Sequence, residues 1–264
     1  MRVAAIGDNC IDVYPRLGRQ YPTGNVVDFA VNMQQLGLPT SIISVTGSDE
    51  NGSWMIETLK EEGLDTSHLL VGDGETAITY MDMNGKDRVH GDYVEGVLEN
   101  VVFSKEQIDF ASRHALVHSA FWGKADKHLA ELKANGALLS FDYATKSDDP
   151  LVKRTLPLVD YAFFSLQKDS AITYLEEAWT LGPKVVVGTF GVEGSLAYDG
   201  RQFYSFGVFP AVVENTVGAG DSFIAGFMYE ILKGSNIEKA LETGARTAAK
   251  VVETFEPWVK IRSN

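Results

Sequence analysis

Short runs of Val, Ile, Ala and Leu recur along the chain, separated by longer stretches in which apolar positions return every three or four residues. Short β-branched runs read as buried strands, and the longer periodic stretches as amphipathic helices. On this pattern strands are predicted at 2–6, 41–45, 115–118, 137–141, 161–164 and 184–188. Helices are predicted at 25–36, 50–62, 124–135 and 170–181, and Gly63 is a suitable C-terminal stop for the second of them. Strand–helix alternation argues for an α/β chain with a mainly parallel sheet and helices on both faces. Two stretches depart from it. Residues 76–81 and 86–93 read as a hairpin through Asn84-Gly85, and 193–198 with 202–206 as a second through Asp199-Gly200. The first hairpin has no helix partner and many polar groups. With the segment near 11–22 it forms a small β-flap, or lid, over about 75–94, attached to one unit spanning 1–264. Ligands of open parallel sheets bind beyond the carboxyl ends of the strands. Asp8, Asp12, His118, Ser119, Asp142 and Thr189 fall at those ends.

Composition narrows the function. With 45% hydrophobic residues the 264-residue chain can bury a sizeable core. Thirty-six acids against 23 bases give a net charge of −13, which argues against a nucleic-acid partner. The longest uncharged run, between Asp28 and Asp49, carries Asn32, Gln34, Gln35, Pro39 and Thr40 and cannot span a membrane. Cys10 is the single cysteine, so an internal disulfide and a Cys-based zinc site are excluded and a reducing compartment is expected. The N-terminal stretch has one base before Asp8 and does not read as a signal peptide; the expected location is cytoplasmic. The five histidines show no metal-binding spacing, no Walker-type loop is present, and Ser195 has no nucleophile elbow around it.

The segment richest in chemistry is 215–223, Asn-Thr-Val-Gly-Ala-Gly-Asp-Ser-Phe, followed by an apolar helical run. Small residues let backbone N–H groups converge on an anion. The helix start adds about half a positive charge there. Asp221, at the head of that helix, is suited to take a proton from an attacking hydroxyl while the loop stabilises a developing phosphoryl charge. A glycine-rich turn with Asp221 as its cap is the plainer alternative.

The same segment resembles the C-terminal signature of the PfkB (ribokinase-like) carbohydrate kinases, Asp-Thr-x-Gly-Ala-Gly-Asp. Residues 188–194, Gly-Thr-Phe-Gly-Val-Glu-Gly, resemble the family's nucleotide strand-loop, although they also lead into a hairpin. Residues 23–28, Thr-Gly-Asn-Val-Val-Asp, resemble its sugar-binding segment, and Asp12, five residues after Gly7, matches its sugar-hydroxyl acceptor. Four elements in the same order cover essentially the whole chain. The resemblance implies a three-layer ribokinase-like sandwich with a β-lid, using ATP and Mg2+. It implies Asp221 as general base and the amides of Gly218, Ala219 and Gly220 as the anion hole. Thr189, Gly191, Gly194 and Thr216 would line the nucleotide, and Asp12, Gly24 and Asn25 would hold sugar hydroxyls. Lids of this family often pair between subunits, so a homodimer is expected.

Within the family, segments 7–15, 87–97 and 117–123 are similar to those of the fructosamine kinases. They imply phosphoryl transfer to the 6-hydroxyl of fructoselysine or a related fructosamine. A ribose, fructose or nucleoside kinase, and a non-catalytic sugar-binding relative, stay open as alternatives. Departures bear on the metals. Asn215 replaces the signature's first Asp, which in relatives lies beside a monovalent-cation site, so that requirement stays open. Ser165 and Lys168 stand where the family's Asn-x-x-Glu element would fall, so no metal ligand is assigned. Thr23 and Asp28 replace a Gly and an Asn. Asp8, Asp12, Asp28, Asp92 and Glu95 form an acidic set at the sugar end, suited to an ammonium-type nitrogen unless they are solvated surface groups. Arg88 would meet the carboxylate of the attached amino acid, and His118 is a substrate-contact candidate.

Overall fold

The computed structural model describes residues 1–84 and 87–260. The strands are β1 (Val3–Ile6), β2 (Cys10–Tyr14), β3 (Arg19–Thr23), β4 (Thr40–Thr46), β5 (Asp65–Val71), β6 (Ile78–Asn84), β7 (Asp87–Val94), β8 (Leu116–Ala120), β9 (Leu138–Asp142), β10 (Tyr161–Ser165), β11 (Val185–Thr189), β12 (Ser195–Tyr198) and β13 (Phe203–Phe206). The helices are α1 (Asn25–Gln35), α2 (Glu50–Glu61), α3 (Lys105–Ala111), α4 (Leu129–Ala134), α5 (Pro150–Thr155), α6 (Lys168–Trp179), α7 (Ala219–Leu232) and α8 (Ile237–Val251).

Nine strands form the main sheet in the order β13-β12-β11-β10-β9-β8-β1-β4-β5. Pairing is parallel from β5 through β11, and the β12–β13 hairpin adds an antiparallel edge. The period of two is visible in β1. Val3 and Ala5 pack into one core with α1, α2, α7 and α8, while Ala4 and Ile6 pack into the other with α3, α4, α5 and α6. The result is three layers. From β1 the chain runs outward to β4 and β5, then returns to start β8 on the other flank. That reversal of direction opens a crevice at the carboxyl ends of β1 and β8.

A second sheet, β3-β2-β6-β7, stands beside the first. β2 pairs parallel with β6, and β2–β3 and β6–β7 are antiparallel. The first hairpin strand begins at Ile78 rather than at 76. Thr76 is diverted to Asp49, whose carboxylate accepts from both its N–H and its hydroxyl. Of the Asn84-Gly85 turn, Gly85 lies outside the described residues, as does Lys86. Strand β5 has no counterpart among the predicted elements, because an edge strand reading Asp-Thr-Ser-His carries half-exposed polar side chains. The helix predicted at 124–135 is reduced to α4 and a preceding 3-10 turn, Asp126–His128. Lys124 adopts a left-handed backbone (φ 54°) and sends its ammonium to Glu95 and the Glu99 carbonyl.

The crevice floor requires two glycines in contact. A Cβ on Gly7 (φ 153°) would lie 2.8 Å from the Cα of Gly123. Gly136 also has positive φ, but open space around it. Gly7→Ala is expected to cost about 2–4 kcal/mol in urea unfolding, against about 1 kcal/mol for Gly136→Ala. Equal losses would mean that the loops after β1 and β8 do not touch.

Candidate functional site

Asp8 follows β1 and is buried at the crevice. Its Oδ2 accepts the N–H of Asn25 (2.8 Å), so a residue of the loop between β1 and β2 caps α1. The chain enters α1 through Gly24 (φ 137°), where a Cβ would sit 2.9 Å from the Cα of Asn9 and from the Asp8 carbonyl oxygen. No side chain fits there.

Helix α7 starts in the same crevice. Its N-cap, Gly218, is left-handed (φ 68°), and a Cβ there would meet the Pro257 carbonyl oxygen at 2.4 Å. The Ala219 N–H turns back to the Thr216 carbonyl (3.3 Å). The N–H groups of Gly218 and Gly220 have no acceptor among the described residues. Asp221 is buried in the first turn, and its Oδ1 accepts from the Asn25 carboxamide at 3.1 Å. One polar bond therefore joins the heads of α1 and α7.

Five buried carboxylates converge here: Asp8, Asp12, Asp28, Asp142 and Asp221. Burial raises the proton affinity of every one, because a charged carboxylate loses its water. Asp12 and Asp142 are pushed up to about 6. Asp12 is held back by the charge of Arg88, and Asp142 by the Ala144 N–H, which donates to its Oδ1 at 2.8 Å. Asp221 and Asp28 are driven well above the carboxylate range, chiefly by burial and then by a neighbouring acid. That neighbour is Asp142 for Asp221, and Asp221 for Asp28. The Thr23 hydroxyl lies 2.9 and 3.0 Å from the two oxygens of Asp28. Asp8 Oδ1 has no hydrogen-bond partner.

Of the residues expected from sequence, the structure thus brings together Asp12, Gly24, Asn25, Asp28, Gly218, Ala219, Gly220 and Asp221, with Arg88 from β7 facing Asp12 and Asp221. Two acids of the expected set stand apart. Asp92 is exposed on β7, and Glu95 is paired with Lys124. Asp142, previously noted only as a polar strand end, takes their place. His118 is a correction. It is fully buried, its ring stacks on Phe29 (centroids 3.9 Å apart) and its Nδ1 bonds the Ser140 hydroxyl at 2.9 Å. Burial lowers its pKa to about 3, so it stays neutral and touches no open space.

Thr189 ends β11, and its register partner Ser165 ends β10. Gly191 and Gly194 both have positive φ, and a Cβ on Gly194 would strike the Phe206 carbonyl. Gly194 therefore also serves the β12–β13 hairpin, whereas Gly191 has open space around it. Lys168 reaches back to this loop through Glu193 (3.6 Å). Thr216 is exposed just before the anion loop. Sequence reading missed the carboxyl-terminal stretch that Gly218 packs against. No local motif announces Pro257, whose role comes from the fold alone. Among the described residues, no group of three or more His, Cys, Asp or Glu side chains is arranged to hold a metal, and no helix is long and apolar enough to cross a membrane.

A family model described as pfkB family carbohydrate kinase matches residues 11–258. The chain is 37% identical to the fructoselysine 6-kinase of Escherichia coli over 97% of this chain and 99% of that one. It is 32% identical to a fructosamine kinase of Bacillus subtilis over 97% and 92% respectively. Among solved structures, an Arabidopsis thaliana ribokinase complexed with ribose and ATP superposes with a TM-score of 0.85 at 17% identity, covering 97% of this chain and 93% of that one.

The acids carry a stability signature. Asp12 and Asp142 bind protons more tightly when folded (about 6) than when unfolded (about 4). Protonation therefore stabilises the fold below about pH 4, and that contribution is lost as pH rises through 6. Asp142→Asn keeps an acceptor for Ala144 and removes the charge. It is expected to stabilise the ligand-free protein at pH 7.5 by about 2–3 kcal/mol, with the gain shrinking toward pH 4. Urea titrations across that range measure it, and a gain independent of pH contradicts the assignment.

Proposed function

The chain belongs to the pfkB family of carbohydrate kinases and is a phosphotransferase acting on a sugar hydroxyl, and we propose that its acceptor is the 6-hydroxyl of a fructosamine, with fructoselysine as the first candidate. The observation that carries the mechanism is Asp221. It is buried, held by Asn25, and placed one residue after a Gly220 N–H that lacks an acceptor.

In this reading Asp221 accepts the proton of the attacking hydroxyl as the oxygen–phosphorus bond forms. Its high proton affinity suits that task, because the proton leaves a weakly acidic alcohol. The Asn25 carboxamide keeps one carboxylate oxygen of Asp221 fixed, leaving the other for the sugar. The Gly218 and Gly220 amides and the positive end of α7 stabilise charge on the transferring group. ATP supplies the phosphoryl group, with Thr189, Gly191, Gly194 and Thr216 along its path. Magnesium would be carried by the nucleotide, where it would offset phosphate charge, as suits a cation that keeps its water, and no residue of the chain is assigned to it. Asp12 and Gly24 hold sugar hydroxyls while the β2-β3-β6-β7 sheet covers the sugar from solvent.

The acidic pocket supports the choice of acceptor. Asp8, Asp12 and Asp28 are buried together, with the charge of Arg88 acting on Asp12. A neutral hexose adds nothing that favours their ionised forms, whereas the secondary ammonium of a fructosamine does. Arg88, already close to Asp12, then meets the carboxylate of the attached amino acid. The lid strands expose Tyr80, Val89, Tyr93 and Val94, which supports a homodimer through the lid. The lone Cys10 and the acidic composition suit the cytoplasm. A non-catalytic relative would have no need of a buried base beside unpaired amides.

ADP release with Mg-ATP should be fastest on fructoselysine in a panel that includes fructose, ribose and a nucleoside. Asp221→Asn should lower kcat by roughly 10³-fold or more with sugar binding retained. Asp28→Asn should narrow the preference for fructoselysine over fructose by about tenfold. An unchanged preference ratio would falsify the role of Asp28 while leaving the kinase mechanism intact.

A further inference from the structure

Asn215 is completely buried, and both ends of its carboxamide are engaged. Oδ1 accepts the Val217 N–H (3.1 Å), immediately before Gly218 of the anion loop. Nδ2 donates to the Phe255 carbonyl (2.9 Å) and approaches the Tyr14 hydroxyl (3.5 Å). Tyr14 ends β2, the strand that carries Asp12. Its hydroxyl meets that of Tyr21 on β3 at 2.9 Å. Both rings pack on Phe255, with centroids 5.1 and 6.0 Å away, and the Arg19 guanidinium stacks on Phe255 at 4.2 Å. Arg19 also pairs with Glu214, the residue before Asn215 (3.6 Å). One amide thus joins the base of the lid, the carboxyl-terminal segment and the loop that would hold the phosphoryl group.

An acid at this position would point a second negative group at the Phe255 carbonyl oxygen, and a cation would be needed between them. Asn215 instead points a hydrogen-bond donor at that oxygen. A donor N–H cannot ligate a metal ion, and the amide oxygen is turned to the Val217 N–H, with the NH2 group and not the oxygen facing the Phe255 carbonyl. The residues present therefore do not fit a monovalent cation at 215.

We propose that Asn215 is a positioning residue that fixes the anion loop to the lid base, and that phosphoryl transfer by this chain needs no monovalent cation. The inference rests on the kinase reading above, so its test includes a readout that does not depend on turnover. Thermal midpoints and ADP-release rates of the wild-type chain are compared in potassium and in tetramethylammonium at equal ionic strength. Both are expected to agree. A midpoint or rate that rises in potassium overturns the proposal, and the midpoint is readable whatever the acceptor proves to be. Absence of turnover on every acceptor would instead count against the kinase reading.

Two variants complete the test. Asn215→Asp should become cation-responsive, with a midpoint depressed in tetramethylammonium and recovered in potassium. An aspartate variant indifferent to the cation overturns the account. Asn215→Ala leaves the Val217 N–H and Phe255 carbonyl unpaired, and should lower kcat by about 10- to 100-fold with little change in sugar KM. A loss of stability with kcat unchanged marks Asn215 as structural only and overturns the positioning role. Should the alanine variant not fold, the wild-type comparison and the aspartate variant still decide.

Discussion

One hydrogen bond between residues 196 positions apart, from the Asn25 carboxamide to Asp221, holds the two halves of the site together. It works only because α1 and α7 begin in the same crevice and pack along one face of the sheet. Each start depends on a glycine that no other residue can replace. Gly24 passes against Asn9 and Asp8, and Gly218 passes against Pro257. Shifting either start by a fraction of an ångström would separate Asp221 from its donor. The geometry of the site is therefore a packing result as much as a chemical one.

The electrostatics follow from the same burial. Carboxylates crowded at the head of two helices are desolvated and repel each other, and the helix dipoles offset only part of that cost. Such an arrangement weakens the ligand-free fold, as functional sites often do. In the proposed function it also favours a positively charged ligand, and it raises the proton affinity of Asp221, the proposed general base. Asp92 and Glu95 lie outside this buried cluster: Asp92 is exposed, and Glu95 is paired with Lys124. Charge count along the chain could not separate these two from Asp28, since all are acids near the lid.

Much of the fold was legible. β1 and the first residues of β11 are continuous apolar runs because both faces of the main sheet are covered, and α2 shows helical periodicity because one face, with Gly52, Met55 and Leu59, is buried. Legibility failed where tertiary partners override local preference. Lys124 breaks a helical pattern to reach Glu95. β5 looks polar because it is an edge. His118 looks like a polar strand-end residue, yet it lies beneath α1 against Phe29.

By itself the sequence determined the α/β alternation, the glycine-rich loop with its acid, the family, and the net charge of −13. These are properties of local spacing and composition, which survive without knowledge of what packs on what. Only the tertiary structure decided which acids share one pocket, that Asn25 rather than water holds Asp221, and that Asn215 spans lid, loop and carboxyl-terminal segment. Those contacts join residues far apart in the chain, and burial alone gives them their strength.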